Sequence, residues 1–276
     1  MWRITWDRFA RSKLALAALI YIGAITLIAI AAPLLSRYDP NAIDLIHRLN
    51  GPDARHQFGT DDLGRDVLTR MMYGARVSLA IAFSATAIAL IVGSFLGALA
   101  GYYGGAIDWV VSRLIEIVLC FPFLFLLLAI VALFNPSVTT ILVALGLTSW
   151  TTEARFIRGE FLKVREMDFA QAARASGARD ARIIFRHLLP NSLAPVLVSA
   201  SFGVAHAILV ESALSFLGLG VAPPMASWGS ILSVAEQFID YAWWLVLFPG
   251  IAIFTTVAAF NIVGDRFRDA LDPRSA

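Results

Sequence analysis

The feature that most limits how this chain can fold is a set of long stretches with no Asp, Glu, Lys or Arg. Residues 14–36 form the first, at 23 residues, and 77–101 add a stretch of 25. Residues 117–152 run for 36, while 187–210 and 241–264 run for 24 each. A bilayer core of roughly 30 Å needs about 20 helical residues, so four of these runs each supply one span. The 36-residue run contains Asn135-Pro136, a turn signal. With a contribution from its neighbours it divides there into spans of about 109–134 and about 137–155. The expectation is an all-α membrane protein with six transmembrane helices. A β-barrel would show alternating segments of about ten residues, and continuous apolar runs instead demand helices whose backbone groups bond within their own segment.

Composition excludes other classes. The chain is 59% apolar and 15% charged, where soluble domains average about 45–50% and about 25%. A disordered chain, a disulfide scaffold and an ordinary soluble enzyme are ruled out. The lone Cys120 cannot form an internal disulfide and is silent on redox compartment. A net charge of +2 is too small to imply a nucleic-acid partner.

The placement of charge sets orientation. Arg3, Arg8, Arg11 and Lys13 precede the first span, and Arg266, Arg268 and Arg274 follow the last. Segment 155–186 holds Arg155, Arg158, Lys163, Arg165, Arg174, Arg179, Arg182 and Arg186, whereas 134–138 and 211–241 hold no Lys or Arg. Both tails and 155–186 are therefore expected in the cytoplasm. The external segment near 36–76 carries six arginines, but six aspartates share it. Either Asp61 or Asp62 can cap a short helix there reaching Tyr73. That segment is open to two readings, contact with another protein or a solvated connector. A cleaved signal peptide competes for the N-terminus, although the first apolar run exceeds the usual ~7–15 residues of its core.

Catalytic sets are missing. Neither Lys13 nor Lys163 stands in the Gly-Lys-Ser/Thr context of a phosphate loop. No Gly-x-Ser-x-Gly elbow occurs, and the four histidines show no metal-ligand spacing. No catalytic and no metal-binding residue is assigned.

Segment 160–191 reads as two short helices. Asp168 can cap the first, with Gln171 reaching back as in a capping box, and Gly177 suits a left-handed stop. Phe169, Ala172, Ala173 and Ser176 then share one face, mostly of small side chains. The second helix, about Asp180–Leu188, is expected to stop before Pro190. Either this is an interfacial amphipathic loop, or it is a docking element for a cytoplasmic partner.

Other residues carry paired readings. Gly93, Gly97 and Gly101 form a small-residue stripe read as internal packing rather than a dimer seam. Glu211, in the fifth span, either lines a pathway or lies at the interface with water; His206 falls on another side of that helix. Arg113 and Glu116 can neutralise each other, and Pro122 should kink its helix. Segment 218–240, with Gly218, Gly220, Pro223, Pro224 and Gly229, is expected as an external loop, partly re-entrant. Trp243 and Trp244 fit an interfacial belt.

The spacing Ala172-Ala173-x3-Gly177-x11-Leu189-Pro190 resembles the EAA motif of permease subunits in type I ABC importers, with Gln171 in place of Glu and His187 in place of the usual Ile. Residues 59–66 (GTDDLGRD), 214–220 (LSFLGLG), 261–265 (NIVGD) and 271–273 (LDP) add further matches. Together they resemble the "C" permease of dipeptide, oligopeptide and nickel ABC importers, over about residues 10–273. The resemblance implies a type I ABC importer transmembrane domain in the bacterial cytoplasmic (inner) membrane. Its expected divisions are a cytoplasmic tail 1–13, a first span 14–36, an extracytoplasmic segment 37–76, a five-helix core 77–264 with coupling helices near 168–188, and a cytoplasmic tail 265–276. Asp168, Gln171, Ala172, Ala173, Ser176, Gly177, Leu189 and Pro190 become ATPase-coupling residues, and Glu211 a pathway candidate. Implied partners are a second homologous permease, two cytoplasmic ABC ATPases and an extracytoplasmic solute-binding protein. The chain itself has no cofactor; ATP and Mg2+ belong to the ATPases. Peptides are the expected cargo, with nickel chelates or glutathione as alternatives, and a stand-alone secondary transporter or channel is the competing class.

Overall fold

The computed structural model describes residue 6 and residues 8–271. Arg3, Arg274 and the Asp272-Pro273 pair named above lie outside the described residues.

Helix α1 (Lys13–Leu35) begins where the Ser12 hydroxyl accepts from the Ala15 amide at 3.3 Å. Its sidedness is the reverse of a soluble helix. Ala15, Ala18, Ala29 and Ala32 are buried, while Ile20, Leu27, Ile30 and Leu34 point outward, Leu34 at 88% exposure. Lipid tails are as apolar as leucine, so little is gained by burying leucine; small residues face neighbours because they let backbones come close. A hydrogen bond of 2.6 Å between the Tyr21 and Thr255 hydroxyls ties α1 to the last helix.

A folded cap joins α1 to α2 (Val67–Tyr103). Asp61 organises it. One carboxylate oxygen accepts from the Leu63 and Arg65 amides, and the other takes Arg65 Nε at 2.7 Å with Arg70 Nε at 3.4 Å. Because Asp61 is spent inside the cap, Asp66 caps α2 instead, accepting from the Thr69 amide at 2.8 Å. The expected short helix is thus the first turns of α2, which runs through Tyr73 without a break. Gly64 adopts φ +75, and a Cβ there would stand 1.7 Å from the Asp44 carbonyl oxygen. No other residue fits that turn.

At 37 residues and about 1.5 Å per residue, α2 is roughly 56 Å long, so it overruns a ~30 Å bilayer core. Helices α3 (Gly105–Leu119) and α4 (Phe123–Phe134) follow, bent by 80° at the break. The run expected as one kinked span of about 109–134 is therefore two short helices. Pro122 offers no amide to continue α3, and its carbonyl instead starts α4 by accepting from Leu126.

Helix α5 (Val138–Val164) is capped by Ser137, whose hydroxyl accepts from Thr140 at 3.0 Å. It continues about two and a half turns past the expected end near 155. Among the described residues four helices are long and apolar enough to cross a membrane, or five if the bent pair counts as one span. Helix α5, 27 residues with a charged second half, has the length for a sixth, consistent with the six-helix expectation.

The α2–α5 contact is the most extensive in the chain. Gly93, Gly97 and Gly101 lie against the α5 backbone at Trp150, Ala154 and Arg158. The stripe is internal packing, as expected. Two short helices come next, α6 (Asp168–Ala175) and α7 (Asp180–Ile183). Helix α7 does not stop before Pro190. A π turn over Ile184–Leu188 carries it directly into α8 (Leu189–Phe216), with Pro190 in the first turn, where a missing amide is tolerated.

Segment 218–240 contains α9 (Trp228–Ala235), packed against α8 and α10 (Trp244–Leu271). Trp228 is fully buried, with its indole N–H donating to the Met71 carbonyl at 3.2 Å. Trp243 is 52% exposed, as a belt residue would be, but Trp244 is not. It is 5% exposed and donates to the Thr60 carbonyl at 3.1 Å, pinning the cap to α10.

Gly97 tests the seam. A Cβ there would lie 2.5 Å from the Ala154 carbonyl oxygen. Gly97→Leu should destabilise the folded chain by about 1–3 kcal/mol or more, the usual cost of overpacking. Thermal unfolding in detergent checks this; an unchanged midpoint would show that α2 and α5 can separate freely.

Candidate functional site

Two regions concentrate chemistry. The first lies where α2 ends, at the opposite end of α2 from the cap. Ala170, Ile183 and Leu188 are buried there with Tyr102, Ile157, Phe161 and Val164, which seats the α6–α7 segment on the spans. Polar bonds lock it. Tyr102 Oη donates to Asp180 Oδ1 at 2.7 Å, and the Arg174 guanidinium stands 5.7 Å from the Tyr102 ring centroid. Arg165 Nη1 donates to the Gly101 and Tyr102 carbonyls, placing a cation on the negative end of α2. Arg158 and Asp108 form a two-pronged ion pair between α5 and α3, with Nη2–Oδ2 at 2.7 Å.

Within the segment, Gly177 at φ +75 ends α6 as expected. Its amide bonds to the Arg174 carbonyl and the Ala178 amide to that of Ala173, the paired bonds of a Schellman turn. The start of α6 differs from expectation. Met167 holds the cap position without a side-chain bond, and Asp168 is the first helical residue. Gln171 does reach back, but its Nε2 donates to the Glu166 carbonyl at 3.0 Å. The expected common face also divides. Ala173 is half-buried towards the spans, whereas Phe169, Ala172 and Ser176 are exposed. Phe185 on the π turn is exposed too. Leu189 is half-buried and Pro190 exposed.

The second region is a cavity of about 460 Å3 between α2, the α3–α4 break, α5 and α8. Apolar side chains, Phe121, Phe123, Leu126 and Phe202 among them, supply much of its wall. Its titratable groups are Glu153 on α5 and His206 on α8. Glu153 is 7% exposed and accepts from the Ser199 hydroxyl at 2.5 Å. Glu153 was missed by sequence reasoning because it ends a charge-free run and reads as the edge of a span.

Glu211 lies elsewhere. It is fully buried and does not line this cavity. Its carboxylate accepts from Ser78 at 3.0 Å on α2 and from Ser215 at 2.7 Å on its own helix. Ser227 donates to the Ser215 oxygen at 3.2 Å, and the Trp228 amide to Ser78 at 3.3 Å. Hydroxyls from α2, α8 and the start of α9 surround it. Gly220 packs against Ser215 so closely that a Cβ would fall 1.9 Å from its oxygen, which accounts for the second glycine of 214–220.

Comparison with known proteins adds relatives. Residues 93–276 match the family model described as binding-protein-dependent transport system inner membrane component. Residues 1–52 match the N-terminal transmembrane domain of oligopeptide transport permease C. The dipeptide transport system permease protein DppC of Alkalihalophilus pseudofirmus is 48% identical over 273 residues, covering 99% of this chain and 90% of that protein. The glutathione transport system permease protein GsiD of Pectobacterium atrosepticum is 39% identical over 274 residues, covering 99% and 91%. Among solved structures, an inward-facing form of the MetNI methionine ABC transporter aligns with a TM-score of 0.60 at 19% identity, over 75% of this chain and 98% of that one. That likeness concerns the fold.

The serine cage yields a stability prediction. Glu211→Leu leaves the Ser78 and Ser215 hydroxyls without their acceptor, at about 1–3 kcal/mol for each buried group stranded. Glu211→Gln keeps one acceptor oxygen and should lose less. Melting points of the two variants in detergent should rank in that order, and equal, wild-type values would remove the cage from the stability account.

Proposed function

The chain belongs to the family of binding-protein-dependent transport system inner membrane components, and from that premise we propose that it forms half of an ATP-driven pathway importing peptides. Its role is that of a permease subunit in a type I ABC importer. A second, homologous permease supplies the other half of the path, two cytoplasmic ATPases supply the work, and an extracytoplasmic binding protein delivers cargo. Both termini and the α6–α7 segment face the cytoplasm, in keeping with the eight basic residues of 155–186. The cap over the outer ends of α2 and α10 then lies outside.

One observation carries this reading. Helix α6 is bolted to the spans on one side through Ala170, Ala173 and the Tyr102 contacts, and bare on the other along Phe169, Ala172 and Ser176. A helix held that way moves as part of the spans and offers small side chains to a second surface. The ATPases push on the bare face. Their closure on ATP drives α6 and α7, and Asp180 passes the movement to the end of α2. The spans rock and the cavity opens outward for delivered cargo; hydrolysis and release return it inward. ATP shifts this equilibrium only by binding the closed ATPase pair more tightly than the open one, so the α6 contact must report that difference.

Peptides fit the cargo best. Relatives named for dipeptide and for glutathione transport both carry compounds built from amide-linked amino acids, and the cavity joins apolar walls to a single carboxylate.

Two substitutions test the coupling. Gly177→Pro forces φ near −65° where the chain has +75, and removes the amide that bonds to Arg174. Ala172→Trp adds bulk on the bare face without touching the spans. Both should abolish ATP-driven uptake by the assembled complex in proteoliposomes while the permease still inserts and co-purifies with its homologue. Wild-type uptake by both variants would overturn the docking role.

A further inference from the structure

Among the described residues, the cavity between α2, α5 and α8 presents a carboxylate that forms no ion pair, although His206 of α8 lines the same space. Glu153 is buried in its wall, and no Lys or Arg lines the space. A carboxylate offers about four acceptor positions, and the Ser199 hydroxyl fills one. This contrasts with the other carboxylates held between helices. Asp108 has Arg158, and Glu211 has its serines. An acidic group within membrane-spanning helices is costly unless it is paired or lines a path. Glu153 is half-satisfied, and what it lacks is a donor carrying positive charge.

A second observation points into the same space. The Thr86 hydroxyl on α2 is buried, lines the cavity and has no hydrogen-bond partner. Thr86 stands on a different helix from Glu153, so the cavity presents two polar groups, both short of partners, from two walls. At about 460 Å3 it lies within the ~300–1,000 Å3 range of small-molecule sites. Phe121, Phe123, Leu126 and Phe202 supply apolar wall, and Thr148, Ser149, Thr151 and Thr152 of α5 add hydroxyl groups to the lining.

We propose that Glu153 is the counter-charge for the free amino terminus of a peptide in transit, with Thr86 bonding the same end of the cargo; this rests on the peptide-import reading above. An ammonium has three N–H donors and no acceptor, which matches a carboxylate with open positions beside a free hydroxyl. The site therefore selects cargo with an uncapped amine, α-peptides and the γ-linked tripeptide glutathione alike, and disfavours anionic chelates, whose carboxylates it would repel.

The test is uptake by the complete complex in proteoliposomes, driven by ATP and its binding protein, with two probes: dialanine and N-acetyl-dialanine. Acetylation removes the ammonium and little else. Variant-to-wild-type ratios are taken for each probe separately, so that the binding protein's own preference cancels. Loss of one charge-assisted hydrogen bond should cost Glu153→Gln about tenfold in dialanine uptake, with N-acetyl-dialanine uptake unchanged or raised. Glu153→Asp, which keeps the charge on a shorter arm, should recover part of the loss. An equal fall for both probes would make Glu153 structural and overturn the proposal, as would dialanine uptake at the wild-type rate. Should Glu153→Gln fail to assemble, Ser199→Ala loosens the carboxylate while keeping it and should shift the two-probe ratio in the same direction; an unshifted ratio counts against the site. Wild-type complex that carries neither probe sinks the peptide reading, and this inference with it, a result separate from any behaviour of the variants.

Discussion

The close approach of α2 and α5 is the contact on which the rest of the structure depends. Lipid supplies no hydrophobic drive between helices, so association rests on packing and polar bonds. Gly93, Gly97 and Gly101 bring α2 onto the α5 backbone along successive turns. One end of that seam carries Tyr102, which holds Asp180, and Arg158, which holds Asp108. Its middle borders the cavity, with Thr86 on α2 and Glu153 on α5. Displace either helix and both the seat of the α6–α7 segment and the cavity lose their geometry together.

Two glutamates within the spans show how context assigns role. Glu211 is surrounded by hydroxyls from α2, α8 and the start of α9, and its acceptors are met by the chain itself. It acts as a knot that joins α2, α8 and the start of α9 and seats Trp228. Glu153 receives one serine hydroxyl and otherwise faces open volume. A satisfied carboxylate holds a fold together, whereas an unsatisfied one next to a cavity is suited to a ligand.

The two ends of the molecule are built on different terms. At the cap, Asp61 with Arg65 and Arg70, Asp66 with His56, and Trp244 with Thr60 make a cross-braced surface whose bonds close on themselves. At the other end the bonds close on one side of α6 only, leaving Phe169, Ala172, Ser176 and Phe185 bare. An element braced on one face and open on the other is one that a second protein can complete.

Helical class and the α6 stop were legible in the sequence, because each follows from local chemistry. Charge-free runs must be helical in lipid, and Gly177 ends α6 through its own backbone freedom. The small-residue stripe of α2 was legible for the same reason, as spacing along one helix. What sequence could not decide was which polar group meets which. Asp61 and Asp62 look equivalent as caps in the sequence, but Arg65 and Arg70 claim the first and Asp66 takes the cap instead. Trp244 reads as a belt residue until the cap folds over it, and nothing near Glu211 in the chain points to its bond with Ser78, 133 positions away. Glu153 was hidden by the rule that found the spans, since a charge was taken as a boundary. Periodicity and local stops act within a few turns of one helix and are written in the order of residues; the pairing of buried polar groups depends on which helices lie side by side, and only the packed bundle decides that.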